Sequence, residues 1–206
     1  VHASNGHLVK ENSREYRILI PIDDVPNNIK EAFISAEDKN FYNHYGIDPL
    51  GILRASLYNI KNFLTNKRPQ GASTITQQVA KNFLLSDELS LTRKIKEAIL
   101  AFKIEQALSK GRILELYLNQ IYLGAGSYGI AAASNRYFEK ELSNLSISEM
   151  AYLAALPKAP SRYHPIKNYQ LALDRRNWVL KKMFANEYIS EEELEKYASE
   201  PIKTLL

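Results

Sequence analysis

Residues 71–82, reading GASTITQQVAKN, hold more polar chemistry than helix packing requires. Ser73, Thr74, Thr76, Gln77 and Gln78 place five hydroxyl or amide side chains together, and Lys81 follows them. Ser73 is suited to cap a helix by accepting from a free N–H of its first turn, and Gly71 lets the chain enter at an unusual angle. With a helix running to about Phe83, Gln78 and Lys81 are three residues apart and share a face. Open N–H groups, a hydroxyl, an amide and an ammonium on one side form a seat for an anion, phosphate above all. A well-capped surface helix with a soluble polar face is the plainer alternative, because such caps are common.

A second chemical feature precedes it. Ile29 and Phe33 are spaced by four from a helix starting near Pro26, and the same row arrives at Glu37. A carboxylate where the apolar row predicts a core residue stands at the rim of the core or in a cleft. Partial desolvation there raises its pKa and suits it to proton transfer. Asp38, Phe41, His44 and Gly46 follow in EDKNFYNHYG. A solvated Glu-Asp pair at a helix end is the bland alternative. His44 reads as structural or capping, since no second histidine stands at metal spacing. Glu97 is a further acid that heads an apolar row, flanked by Arg93, Lys94 and Lys96. Two carboxylates in different environments let one site run acid and base chemistry, whereas an Arg93–Glu97 pair one turn apart would be ordinary helix electrostatics.

The elements that must position these groups are mainly helical. Val1 to Lys10 and Arg14 to Ile22 have β character with turn formers between them, and together predict a small hairpin. Asp48 and Pro49 open a helix whose Leu50, Leu53, Leu57, Ile60 and Leu64 keep near-heptad spacing. Arg54, Lys61, Lys67 and Arg68 decorate it, so it suits an anionic membrane surface, but packing of the leucine row is the preferred expectation. The segment from Ser90 to Leu108 carries one apolar row of Leu91, Ile95, Ile99 and Phe102 and another of Leu100, Ala101, Ile104 and Leu108, which predicts a central, buried helix. An apolar, aromatic helix from about Arg112 to Leu123 ends at Gly124 and Gly126, a cap and turn rather than a phosphate loop. Further helices are predicted over 128–138, 146–156 with Ser146 and Glu149 as a capping box, 168–186, and 190–198 with Ser190 and Glu193 as another. Pro157, Pro160 and Pro165 predict an extended crossing.

Composition sets the outer limits. A chain of 206 residues, 45% hydrophobic and 24% charged, is long enough to bury one core with a lobe attached. A net charge of +4 admits anionic ligands, phospholipid or nucleic acid without choosing among them. The absence of cysteine excludes disulfides and thiolate metal sites. The longest apolar run, Met150 to Leu156, is far below the ~20 residues of a spanning helix. A start at Val1 without a signal-peptide pattern predicts a processed or excised piece.

Five blocks carry a resemblance. EDKNFYNHYGID (37–48), GASTITQQVAKN (71–82), RKIKE (93–97), ILELYLNQIYLGAGSYG (113–129) and LAALPKAPSRYHP (153–165) occur in that order. Together they resemble the five motifs of the peptidoglycan glycosyltransferases, family 51, found in class A penicillin-binding proteins and monofunctional transglycosylases. YLNQIYLG and ALPKAP look more like the bifunctional class A form. The resemblance covers nearly the whole chain, with no SxxK motif of a transpeptidase.

That resemblance implies a lysozyme-like, mainly α fold with a small membrane-facing jaw lobe at about 48–70. A β-containing lead-in over 1–25 precedes the domain at 26–200, and a linker starts at 201–206. The implied substrate is lipid II, with the growing glycan strand, at the outer, periplasmic face of the cytoplasmic membrane. Glu37 is implied as general base, and Lys81 and Lys96 as neutralisers of the pyrophosphate. Ser73 and Gln78 would hold the donor, Asp38 and Phe41 would support the base, and Glu97 would orient these groups or steady developing charge. Many relatives carry an arginine where this chain has Leu89, a cation that Arg93 or Lys94 could replace. No cofactor is required, though the pyrophosphate has room for a magnesium ion. A transpeptidase domain and a transmembrane anchor are implied in the full-length protein, and nucleic acid is not a partner. A lysozyme-like lytic enzyme and a non-enzymatic scaffold are the competing functions. The first leaves Lys81 and Lys96 without a purpose, and the second lacks a dense basic stripe.

Overall fold

The computed structural model describes residues 16–62, 71–83 and 90–206. The Val1 to Lys10 arm of the expected hairpin, Leu64, the connection bearing Lys67 and Arg68, and Leu89 lie outside the described residues. Nine α-helices occur among the described residues: α1 (Asn27–Glu37), α2 (Pro49–Asn62), α3 (Ile75–Phe83), α4 (Leu91–Ala107), α5 (Lys110–Gln120), α6 (Ile130–Phe138), α7 (Ile147–Ala155), α8 (Tyr169–Ala185) and α9 (Glu191–Ser199). The mainly α class is as expected.

Local chemistry set many of the boundaries. Ser146 with Glu149 and Ser190 with Glu193 both form reciprocal capping boxes at the starts of α7 and α9. Asp48 Oδ1 accepts from Gly51 N at 2.9 Å and so caps α2. The residues of α7 are apolar on almost every side, and the helix is accordingly central, packed between α1 and α8. Ile29 and Phe33 of α1, Tyr152 and Leu153 of α7 and Val179 and Leu180 of α8 are all buried in one core. On the other side of the domain α3 packs on α4 and α5 through Ile75, Val79 and Ala80.

Four points add to or correct the expectations. First, the expected hairpin has one arm outside the described residues, and the described arm has a further partner: β1 (Tyr16–Arg17) pairs in parallel with β2 (Ser127–Tyr128), more than a hundred residues away. Asn119 on α5 holds the lead-in there, its Oδ1 accepting from Ile20 N and its Nδ2 donating to Ile20 O, both at 2.8 Å. The helix expected from Tyr128 starts only at Ile130. Gly129 has φ +84°, and a Cβ there would lie 2.7 Å from Asn119 O. Second, the prolines make successive tight turns instead of an extended crossing. Ala159 N donates to Leu156 O and Arg162 N to Ala159 O, which puts Pro157 and Pro160 at the second turn position that their fixed φ favours.

Third, α4 is not buried. Glu97 and Ala101 are its buried residues and the Glu105 side chain is covered as well, while Leu91, Ile95, Ile99 and Phe102 are 85%, 60%, 54% and 46% exposed. Periodicity records an apolar face but not the neighbour that covers it, and α3 and α5 cover only the Glu97–Ala101 side. Fourth, the leucine row of α2 is not packed in the core. Leu50, Leu53, Leu57 and Ile60 are exposed, and over residues 49–61 only Ala55 is buried.

Candidate active site

Glu37 ends α1 one turn beyond the buried Phe33. Its carboxylate opens to a small cleft of about 110 Å³ bordered by the base of α2, residues 71–74 and Trp178 and Lys182 of α8. Some solvent reaches it, but protein surrounds it on nearly every side. Burial therefore pushes its pKa above the ordinary 4.5. The Gln78 amide, Arg175, Lys158 and, in the opposite sense, Asp38 modify that shift without reversing it. Gln78 Nε2 donates to Glu37 Oε2 at 2.9 Å, fixing the carboxylate's orientation. A raised carboxylate that keeps one oxygen free of this bond is suited to taking a proton near neutral pH.

The N-terminus of α3 differs from its expected use as an open anion seat. Thr74, not Ser73, is the cap: its Oγ1 accepts from Gln77 N at 3.1 Å, and Gln77 Oε1 accepts from Thr74 N at 3.0 Å. Asp38 Oδ2 accepts from Ile75 N at 3.0 Å, so an internal carboxylate already occupies the positive end of the helix. Asp38 is buried and also binds His44, whose Nε2 lies 2.9 and 3.0 Å from its two oxygens. His44 Nδ1 accepts from Gly46 N at 3.1 Å. Nδ1 therefore carries no proton, and Nε2–H donates to Asp38. His44 is structural, as expected, and Asp38 and Phe41 hold the loop that follows the base. What remains for an external anion is side-chain chemistry.

The cations come from α3 and α4. Lys81 is exposed one turn beyond Gln78. Lys94 Nζ donates to Ser73 Oγ at 3.0 Å and forms an ion pair with the buried Glu97. Glu97 thus faces inward as expected, but the pairing seen is with Lys94, three residues before it. Lys96 is exposed on α4, one residue along the helix from Glu97 and so turned about 100° from the face that Glu97 occupies. Arg93 is half-buried near the start of the same helix. The block from Arg93 to Glu97 supplies its inward cation from Lys94.

Two residues at the site were not legible in the sequence. Arg175 on α8 and Lys158 in the proline-rich turns both act electrostatically on Glu37. The Arg175 guanidinium lies 3.8 Å from the Trp178 ring centroid, and its Nε is buried without a hydrogen-bond partner among the described residues. Burial lowers its pKa, and Glu37 counteracts that. Both residues reach Glu37 across more than a hundred positions, a distance at which helical periodicity carries no signal. The hints were the Arg-Arg pair at 175–176 and, for Lys158, its place inside the block at 153–165. No three His, Asp or Glu side chains among the described residues are grouped to hold a metal.

Comparison with known proteins puts this geometry in context. A sequence model of the transglycosylase family matches residues 5–184. The chain is 51% identical over 202 residues to penicillin-binding protein 1A of Rickettsia typhi (strain ATCC VR-144 / Wilmington), covering 98% of this chain and 26% of that protein. It is 45% identical over 202 residues to penicillin-binding protein 1A of Escherichia coli (strain K12), covering 98% and 23%. The crystal structure of penicillin-binding protein 1A from Haemophilus influenzae superposes with a TM-score of 0.58 at 30% identity, covering 98% of this chain and 20% of that one. The chain spans about a quarter of the length of these relatives. With a matching family model over most of its length and a helical domain in agreement, this chain belongs to the transglycosylase family, the peptidoglycan glycosyltransferases of class A penicillin-binding proteins.

Proposed function

We propose that the domain polymerises lipid II, with Glu37 as the general base. The observation that carries this reading is a single carboxylate at the rim of the core, desolvated, oriented by Gln78 and flanked by cations. Glu37 would take the proton from the 4-hydroxyl of the acceptor's GlcNAc as that oxygen bonds to C1 of the donor's MurNAc. The C1–O bond to the diphosphate breaks with inversion from α to β, and undecaprenyl pyrophosphate leaves with the bonding pair. A pyrophosphate needs no protonation to depart, but its charge must be met by cations placed in advance. Lys81, Lys94 and Lys96 are the candidates, with Arg93 beside them and Ser73 and Gln78 holding the donor. Glu97, paired to Lys94, would set that ammonium's position. The described residues offer no ready ligand set for a magnesium ion, so no step is assigned to one.

The membrane is the proposed setting. The exposed apolar rows of α2 and α4 are suited to the outer bilayer surface, where the lipid substrate resides. No described helix is long and apolar enough to cross a membrane. An anchor and a transpeptidase domain are proposed for the longer protein, on the strength of the share of the relatives that this chain spans.

The test is polymerisation of labelled lipid II in detergent, with products resolved by length. Wild type is expected to make long glycan. Glu37→Gln should lose at least ~10²-fold, the scale of a missing general base. An active Glu37→Gln variant removes Glu37 as base. Release of muropeptides from sacculi without lipid II favours the lytic reading, in which the same carboxyl acts as an acid.

A further inference from the structure

Behind the cleft, a closed ring of polar contacts joins four elements, and two of its members lie outside every block that carries the site. Glu105, near the end of α4, is buried to 4% side-chain exposure. Its Oε1 accepts from Thr76 Oγ1 at 2.5 Å and from Lys110 Nζ at 2.7 Å. Lys110, at the first turn of α5, also donates to His44 O at 2.7 Å and lies 4.5 Å from the centroid of the buried Phe41 ring. From His44 the ring runs to Asp38, from Asp38 to Ile75 N, and along the backbone back to Thr76. The loop is pinned again where Thr74 Oγ1 donates to Gly46 O at 2.6 Å. Gly46 has φ +88° and packs so closely on α4 that a Cβ would lie 2.8 Å from the Ala101 backbone.

The Glu105 carboxylate is taken out of water at a cost that the Lys110 ammonium, itself on a half-buried side chain, only partly offsets, and apolar residues of the same size would hold the helices together at least as well. A geometric role explains them better. Thr76 lies two residues before Gln78 on α3, and Asp38 follows Glu37 directly. Any slack between these segments therefore changes the 2.9 Å Gln78–Glu37 contact. We infer that Glu105 and Lys110 are positioning residues, a brace that fixes the register of the 38–46 loop against the start of α3 and thereby the orientation of the base. The inference rests on the polymerisation reading for its kinetic consequence but not for its geometry.

The experiment uses Glu105→Gln, Lys110→Met, the double variant and Lys110→Arg in the full chain. Kinetics of lipid II polymerisation, thermal melting and a carbon-13 NMR titration of Glu37 are measured for each. Loosening a base by about an ångström costs up to about a hundredfold. Glu105→Gln and Lys110→Met are expected to lower kcat by about tenfold or more, with KM within about twofold. The double variant should be no worse than the poorer single, because the two act as one unit. Lys110→Arg should restore most of kcat. In NMR the Glu37 midpoint should fall towards the ordinary range in both single variants, as water enters. Single variants within twofold of wild type in kcat and unchanged in Glu37 titration overturn the brace. So does a loss that follows the folded fraction and is not rescued by arginine. An inactive wild type sinks the polymerisation reading instead, and the NMR titration then decides the brace by itself.

Discussion

Glu37 carries a stability signature as well as a catalytic one. Its folded pKa is raised, chiefly by burial, so its contribution to stability is fully present below the unfolded value and is lost as pH rises through the folded one. At neutral pH the ionised carboxylate is therefore a cost to the fold. Glu37→Gln should melt at a higher temperature than wild type at pH 7.5, and the difference should vanish once pH falls below the ordinary 4.5. A variant that melts lower at pH 7.5 would mean that Arg175 and Lys158 outweigh burial. The same shift predicts the acid limb of the rate profile, with kcat/KM falling as pH drops through a midpoint above 4.5. Glu37 was visible in the sequence because it interrupts an apolar row, a signal local to one helix. Asp38 was visible only as its neighbour. The roles of Asp38 in taking the Ile75 N–H and fixing His44 depend on a segment 37 residues away, beyond any local pattern.

At the scale of elements, α2 and α4 present apolar rows that no other described element covers. The rows themselves were legible, as were the capping boxes of α7 and α9, because residues three or four apart settle both. What covers a row was not legible, and that is why α4 was expected inside and the leucines of α2 in the core. Burying a leucine side chain contributes about 1.5–3 kcal/mol, so a bilayer that takes up even part of two such residues gains tenfold or more in affinity. Leu53→Glu with Leu57→Glu should therefore lower binding to anionic vesicles by about tenfold or more in co-sedimentation. Melting in solution should stay unchanged, since both side chains are exposed already. A large fall in melting temperature with vesicle binding intact would show that the row packs on protein after all.

Across the whole molecule, α8 faces two ways at consecutive positions. Arg175 is turned to the base, while Arg176 is fully buried and ties down the end of the chain. Arg176 Nη2 donates to Glu200 O at 2.7 Å and to Ala198 O at 3.3 Å, its Nε donates to Asn177 Oδ1 at 2.7 Å, and Nη1 bonds the Ser148 hydroxyl. Beyond it, Ile202 N donates to Tyr169 Oη at 3.1 Å and Leu205 N to Tyr137 O at 2.8 Å. The segment after α9 is thus fastened to α6 and α8, and through Arg176 to Ser148 of α7, in the same core that supports Glu37. Arg176→Met keeps much of the volume but leaves the Ser148 hydroxyl and the Glu200 carbonyl without this donor, while Ala198 O keeps its bond from Asn177 Nδ2 at 3.3 Å. Each unsatisfied buried group costs about 1–3 kcal/mol, so the variant should lose at least about 2 kcal/mol in urea unfolding with an unchanged slope. Polymerisation by the fraction still folded should fall less than in the brace variants, because Arg176 faces the segment after α9 and not the loop that carries the base. A loss below about 0.5 kcal/mol would mean that water replaces the guanidinium at no cost, and that the segment after α9 lies on the core without being fastened to it.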